Sequence, residues 1–213
     1  QFSSQDDNLD YVQKVWGQTH DPAGTAVENY LVNIRNAALP ENAPVRFHPH
    51  CPRRKERLPA MVCQITDIHT NRMCGVHRSY LKPDGSGKVD DEPKKAILGR
   101  ARGGVVRLTP DEDVTHGLGI CEGIETGLSI IRMGWQPVWA ALSTSGIATF
   151  PVLGGIQVLT IFADHDDNGA GQEAASKCAE RWASSGRKVI VRKPFECGDD
   201  WNDAVGKYYG HGI

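Results

Sequence analysis

The chain has 213 residues, of which 39% are hydrophobic and 23% are charged. This composition is typical of a globular protein and excludes collagen, coiled coil and wholesale disorder. The sequence contains no run of about 18 apolar residues, so it predicts no membrane span, and the formal net charge of −2 does not by itself suggest a nucleic-acid partner.

The cysteines indicate a reducing compartment, and we expect a cytoplasmic protein. The six cysteines are scattered without a CxxC pair, and no charged and apolar leader opens the chain. His48, His50 and Cys51 lie close together, but no second ligand pair at a readable spacing accompanies them, so a zinc site is not favoured. Because the first residue is Gln, we expect the chain to be part of a longer protein.

Residues 1–44 are predicted to form an N-terminal helical lead-in. The segment Thr25–Arg35 has apolar residues at helical spacing. Thr25 is a candidate N-cap and Glu28 follows three residues later, which is the pattern of a capping box. Pro40 and Pro44 break the chain after this helix.

Residues 45–110 are predicted to form a small basic β-rich α+β subdomain. Short apolar or alternating runs separated by Gly-rich and Pro-containing turns are typical of strands. The runs are Ala60–Ile65, Met73–Tyr80, Ala96–Leu98 and Val105–Leu108.

Residues 111–213 are predicted to form an α/β domain with a parallel sheet. Continuously apolar runs that alternate with segments of helical spacing indicate strands covered on both faces. The apolar runs are Leu118–Cys121, Val138–Leu142, Val158–Ala163 and Val189–Val191, and the helical segments are Glu125–Met133, Gly146–Phe150 and Gly171–Ser184.

Acidic residues follow three of these predicted strands. Glu122 comes directly after the first run, Asp164 and Asp166 follow the third, and Asp200 follows the last after a short loop. Chemistry in such folds lies at the carboxyl ends of the strands. Carboxylates gathered there repel each other unless a cation neutralises them. The oxygen ligands favour Mg²⁺ or Mn²⁺, which support phosphoryl transfer.

The acidic motifs occur in an order that resembles the Toprim domain. The segments are Cys121–Thr126, Ala163–Asp166 with Gly169 following, and Asp200–Asp203. The resemblance covers about residues 115 to 206, and it implies a Rossmann-like parallel sheet with flanking helices. The stretches Gly75–Pro83 and Lys94–Gly99 are similar, more loosely, to the N-terminal part of phage- and plasmid-borne Toprim primases.

The resemblance implies roles for the acidic residues. Glu122 would assist proton transfer or metal binding, Asp164 and Asp166 would be catalytic metal ligands, and Asp200, the acid of the third motif, would be a further metal ligand. One residue departs from the pattern: primases of the bacterial type usually carry Asp four residues after the glutamate, where this chain has Thr126.

The charge is unevenly distributed along the chain. Residues 45–110 carry a net charge of +8, whereas residues 1–44 carry −4 and residues 111–213 carry −6. The basic segment could guide a single strand and nucleoside triphosphates, with the ring of Tyr80 offered for base stacking. The candidate binding residues are Arg78, Lys82, Lys94, Lys95, Arg100 and Arg102.

The sequence therefore favours a DNA primase-type catalytic core, a nucleotidyltransferase that makes short RNA primers on single-stranded DNA in phage, plasmid or other mobile-element replication. Single-stranded DNA template and NTPs are the expected partners, and a replicative helicase is a further candidate partner. Two alternatives use the same residues. A Toprim nuclease would use water as the nucleophile, and a non-catalytic adaptor would keep the fold as a nucleic-acid docking platform.

Overall fold

The computed structural model describes residues 4–41, 44–164, 169–194, 198, 201–202 and 204–205. The chain divides into two compact units. Unit 1 comprises residues 1–34 and 44–106, and unit 2 comprises residues 35–43 and 107–213. The predicted lead-in of residues 1–44 is thus divided between the units, and its first 34 residues group with the strands of unit 1.

Unit 1 begins with helical segments. They are α1 (Ser4–Gly17), α2 (Ala26–Glu28) and a π-helical segment (Asn29–Ile34). Thr25 caps α2, because its side-chain oxygen accepts the Val27 N–H at 3.2 Å. The Glu28 carboxylate accepts the Gly24 N–H at 2.6 Å, so it provides a hydrogen-bond acceptor for the backbone of the residue before the N-cap. The predicted helix over Thr25–Arg35 is present as an α-turn continued by the π-helical segment.

The sheet of unit 1 is antiparallel. Its strands are β1 (Val45–Arg53), β2 (Glu56–Asp67), β3 (Met73–Tyr80), β4 (Lys95–Gly99) and β5 (Gly104–Arg107). The order is β4-β3-β2-β5, and β1 also pairs with β2. Sequence reasoning named no strand over β1, because Pro49 and Pro52 interrupt it. A register shift between His48 and Cys51 occurs at Pro49, as is typical of strands that contain proline, whereas Pro52 pairs in register with Arg57.

The core of unit 1 lies between α1 and the central strands. Val12 and Val15 of α1, spaced for one helix face, are at most 1% exposed, and they cluster with Val62 of β2 and Val76 of β3. Burying each such side chain contributes about 1.5–3 kcal/mol. This contact explains why the polar start of the chain is helical, although its composition alone gives no helix signal.

The sheet of unit 2 is parallel and is flanked by helices, which confirms the predicted α/β fold class. The strands lie in the order β7-β6-β8-β9, and each neighbouring pair is parallel. The elements are a 3₁₀ turn (Asp111–Asp113), β6 (Gly117–Cys121), α3 (Ile124–Arg132), β7 (Val138–Ala140), α4 (Thr144–Ala148), β8 (Val158–Phe162), α5 (Ala170–Ser184) and β9 (Lys188–Arg192).

Burial on both faces of this sheet accounts for its apolar strands. Ile120 of β6 and Ile161 of β8 are fully buried, as are Leu128 and Ile130 of α3, so neither strand shows polar alternation. Among the described residues, no helix has the length and hydropathy needed to cross a membrane.

The turn from β7 into α4 depends on a glycine. Leu142 has a positive φ of 69°, and Ser143 caps α4 by accepting the Gly146 N–H at 3.0 Å. A Cβ built on Gly146 would lie 2.1 Å from the carbonyl oxygen of Ala141. Because this neighbour is backbone, the turn itself would have to move to admit a side chain.

Gly146→Ala should therefore destabilise the protein by about 1–3 kcal/mol, the usual range for an added group that forces a backbone shift. Gly154→Ala is the matched control, because nothing lies within 4 Å of its Cβ position. Urea denaturation measures both free energies of unfolding. Equal stability of the two variants would contradict the close packing of this turn.

Candidate active site

Two acidic residues lie at the same edge of the parallel sheet. Glu122 directly follows the last residue of β6, and Asp164 follows β8 by two residues. The strands are adjacent and parallel, with Cys121 in register with Phe162. Both acids therefore lie at the carboxyl end of the sheet, where α/β folds place their ligands.

Both carboxylates affect the pKa of the buried Cys121 thiol. Burial raises the pKa of Cys121 well above its usual value, and the negative charges of Asp164 and Glu122 raise it further. Two acids that act on one buried thiol lie in the same small region. Their mutual repulsion makes this region favourable for a cation.

The turn between β6 and α3 determines the position of Glu122. Gly123 precedes α3 in an extended conformation, and a Cβ built on it would lie 3.0 Å from the hydroxyl oxygen of Thr126. Thr126, the residue that departs from the primase pattern, is 7% exposed. It packs against this turn. Glu122 thus lies just before the start of α3, where the helix dipole favours a negative charge.

Trp201 and Asn202, the described residues of the third motif, are anchored near the end of β8. The Trp201 indole N–H donates to the Ala163 carbonyl oxygen at 3.1 Å, and its ring makes an edge contact with Phe162 at 5.2 Å between centroids. The Ser129 hydroxyl of α3 donates to the Asn202 side-chain oxygen at 3.1 Å. These contacts hold the segment next to Asp200 against the edge that carries Asp164.

Two of the four predicted acids, Asp166 and Asp200, lie outside the described residues. The structure brings Glu122 and Asp164 together and leaves the placement of the other two a prediction. Sequence reasoning included Trp201 and Asn202 in the third motif but gave them no role. An aromatic residue and an amide next to a strand-end acid were the available signal.

A hydroxyl cluster beside Glu122 was missed by sequence reasoning. The Leu142 N–H donates to the Glu122 carbonyl oxygen at 2.9 Å, which brings the end of β7 next to the acid. The Ser143 and Ser145 hydroxyls, 3.0 Å apart, follow immediately. The Ser-Thr-Ser segment after an apolar run was the signal for these polar groups at the sheet edge.

The donor set fits a hard divalent cation. Glu122 and Asp164 supply carboxylate oxygens, and the Asp164 Oδ1 atom is buried. Oxygen ligands of this kind suit Mg²⁺ or Mn²⁺. Within the described part of the chain, no group of three potential metal-ligating side chains is present, so a complete set would need Asp166 or Asp200.

Three of the six predicted nucleic-acid-binding residues already have partners within unit 1. Arg78 donates to the Pro52 carbonyl oxygen at 2.9 Å, and Lys82 lies 3.2 Å from Asp90. Arg100 pairs with Asp67 at 2.8 Å. The hydrogen bond from Arg100 and those from the Thr70 and His69 backbone hold the pKa of Asp67 well below its usual value.

The other three predicted residues, Lys94, Lys95 and Arg102, are exposed. Tyr80, in contrast, offers no ring to solvent, so its predicted role in base stacking is wrong. Its side chain is 1% exposed, and its hydroxyl donates to the Pro52 carbonyl oxygen at 3.0 Å. The alternation of residues along β3 suggested an exposed Tyr80 ring. This pattern carries no information about α1, which covers this face of the sheet.

Trp201→Phe should cost about 1–2 kcal/mol more stability than Trp182→Phe, the range for a lost hydrogen bond that leaves a buried acceptor. Both changes shrink an indole ring, but the buried Trp182 N–H has no hydrogen-bond partner among the described residues. Thermal and urea unfolding compare the two variants. A smaller loss in Trp201→Phe would show that this bond does not hold the third motif.

Comparison with sequence families assigns the two parts of the chain separately. Residues 6–108 match a family described as a domain of unknown function (DUF7146), and residues 117–208 match the family model of the Toprim domain. No curated protein sequence matches the chain significantly.

Solved structures with the same fold include bacterial primase cores. The zinc-binding and RNA polymerase domains of the Aquifex aeolicus primase match with 15% identity and a TM-score of 0.59, over 97% of this chain and 59% of that one. The E. coli primase catalytic core matches with 15% identity and a TM-score of 0.59, over 95% and 74%.

A DnaG primase catalytic domain bound to single-stranded DNA also matches, with 16% identity and a TM-score of 0.51, over 96% of this chain and 71% of that one. Thus the chain spans between about three fifths and three quarters of these proteins. Together, the matches show that residues 117–208 form a Toprim domain and that the chain has the fold of bacterial DnaG-type primase catalytic cores.

Proposed function

We propose that this chain is the catalytic core of a DNA primase, a nucleotidyltransferase that makes short RNA primers on a single-stranded DNA template. The observation that carries the proposal is the position of two carboxylates, Glu122 and Asp164, at the carboxyl ends of adjacent parallel strands of a Toprim sheet. The fold shared with primase cores supports primer synthesis as the activity of this acidic site.

Asp164 is a proposed metal ligand among the described residues, and Asp166 and Asp200 complete the proposed set. A bound Mg²⁺ or Mn²⁺ would neutralise nucleotide phosphates and polarise the attacking oxygen. Glu122, which precedes the N-cap of α3, would hold the metal or accept the proton of the attacking primer hydroxyl. The hydrogen bond between Trp201 and Ala163 holds Trp201, the residue that follows Asp200 in the sequence, at the end of β8.

Unit 1 supplies the phosphate contacts in this proposal. Residues 45–110 carry a net charge of +8, and Lys94, Lys95 and Arg102 are exposed. Exposed cations bind nucleic acid mainly through its phosphates. Arg78, Lys82 and Arg100 already hold intrachain partners, so their proposed contribution to DNA or NTP binding requires sharing or exchanging these contacts.

The cellular setting is a further part of the proposal. Every cysteine in the described residues is a free thiol, which supports a reducing, cytoplasmic location. The similarity of Gly75–Pro83 and Lys94–Gly99 to phage- and plasmid-borne primases supports replication of a mobile element, with single-stranded DNA, NTPs and a replicative helicase as partners.

Asp164→Asn and Glu122→Gln should each lower primer synthesis by about a hundredfold or more, because each removes a charge that the metal or the proton transfer needs. Glu112→Gln and Asp113→Asn are matched controls. These exposed acids lie in the 3₁₀ turn that precedes β6, at the opposite end of that strand. The assay combines the chain with single-stranded template, labelled NTPs and Mg²⁺, and product length is read on a gel.

New oligoribonucleotides that disappear in the two site variants but persist in the controls support the proposal. Shortened template would instead identify a nuclease, and template binding without either product would identify an adaptor. Full primer synthesis in Asp164→Asn or Glu122→Gln would show that the acidic edge of the sheet is not the catalytic site. Thermal unfolding of each variant in EDTA checks that lost activity does not reflect a lost fold.

A further inference from the structure

An open depression in unit 1 is not used by the acidic site. Its volume is about 500 Å³, within the range of small-molecule sites, about 300–1,000 Å³. Most of the surface that lines it is apolar, and none of the lining residues is a carboxylate. They come from the segment after α1, from β1 and from β2, and they are Gln18, His20, His48, Pro49, His50 and Arg57.

His48 forms part of the floor of the depression and offers it no hydrogen-bonding atom. The residue is 3% exposed. Its Nδ1 atom accepts the backbone N–H of His50 at 3.2 Å, and its Nε2 atom is buried. Burial, followed by the positive charges of Arg57, His50 and His20, lowers the pKa of His48 to about 4. The ring is therefore uncharged at physiological pH and presents only carbon to the depression.

Two imidazole rings and one fixed positive charge surround this floor. His20, His50 and Arg57 are all exposed. The backbone of His20 exchanges hydrogen bonds with that of Phe47 in β1, at 2.7 and 3.0 Å, which fixes the position of His20. The Arg57 guanidinium donates to the His50 carbonyl oxygen at 3.3 Å. This contact holds Arg57 at the depression and leaves further guanidinium N–H groups.

A metal site does not explain these residues. Cys51, which the sequence places next to His48 and His50, lies in the apolar core of unit 1. Burial raises the pKa of its thiol to about 11, and a protonated thiol is a poor ligand. Within the part of the chain that the structure describes, no three His, Cys, Asp or Glu side chains converge as a metal site would require.

The charges next to the depression are mainly positive. Arg54 and Lys55, in the β1–β2 hairpin beside Arg57, are exposed. The acids nearest in sequence hold intrachain partners, because Glu56 pairs with Arg53 at 2.7 Å and Asp21 accepts a backbone N–H at 2.8 Å. An apolar surface with cations around it suits a flat, apolar ring that is joined to negative phosphates. This is the chemistry of an unpaired base in a single strand.

We propose that this depression holds an unpaired base of single-stranded DNA. The base lies over His48 and Pro49. The exposed rings of His20 and His50 stack against it, and Arg57 contacts the adjoining phosphate. The choice of DNA as the ligand rests on the proposed function, whereas the site itself uses no residue of the acidic edge and requires no divalent metal.

The test compares two fluorescently labelled oligonucleotides of equal length. One is a single strand of thymidines, and the other carries the same phosphates on abasic sugars. Both are titrated with the whole chain in EDTA, which withdraws divalent metal from the carboxylate site, and fluorescence anisotropy gives the affinities. The chain should bind the thymidine strand at least about fivefold more tightly, because stacking on side chains contributes to affinity only when a base is present.

His20→Ala and His50→Ala should each weaken binding of the thymidine strand by about fivefold and leave binding of the abasic strand nearly unchanged. His20→Tyr should retain the preference for the thymidine strand, because it restores a ring. The matched control is His69→Ala. His69 is an exposed histidine in the turn between β2 and β3 and does not line the depression, so its loss should change neither affinity.

Three outcomes would overturn the proposal: equal affinity of the unaltered chain for the two strands or no binding of either, a loss in His69→Ala as large as that in His20→Ala, or a base preference that persists in both His20→Ala and His50→Ala. Primer synthesis is measured separately. Its absence, together with a base preference that depends on His20 and His50, would contradict the proposed function and support this binding site.

Discussion

The parallel pairing of β6 with β8 is the constraint on which the candidate site depends. The register that places Cys121 opposite Phe162 brings Glu122 and Asp164 to one edge of the sheet. Their negative charges repel each other there. Together with burial, both charges raise the pKa of the Cys121 thiol. Backbone hydrogen bonds and the buried apolar faces of the strands hold this arrangement together, while the carboxylates themselves oppose it until a cation binds.

Packing behind the strands compensates for this electrostatic cost. The Trp201 ring and its N–H bind at the end of β8, and Ser129 of α3 binds Asn202. On the other side, the Leu142 N–H binds the Glu122 carbonyl oxygen. The acids are therefore carried by rigid strand ends and by apolar contacts, which is how a preorganised site keeps its geometry before any ligand arrives.

The sequence predicted the part of the fold that repeats a simple physical pattern. Buried parallel strands leave continuous apolar runs, so β6 to β9 were foreseeable, as were Glu122 and Asp164 after β6 and β8. Features set by tertiary contact were not. Tyr80 is covered by α1, and β1 pairs in spite of its prolines. His48 and Cys51 are close in sequence, but the strand register shifts between them, and only Cys51 belongs to the apolar core of unit 1.

Crystals grown with Mn²⁺ in place of Mg²⁺ give the most direct test of the central claim, that Glu122 and Asp164 form a divalent-metal site at the carboxyl edge of the Toprim sheet. Anomalous diffraction locates manganese independently of any assay. The account predicts an anomalous peak within coordination distance of both carboxylates. Well-ordered crystals without a peak at these two residues, or with manganese bound only elsewhere, would contradict it.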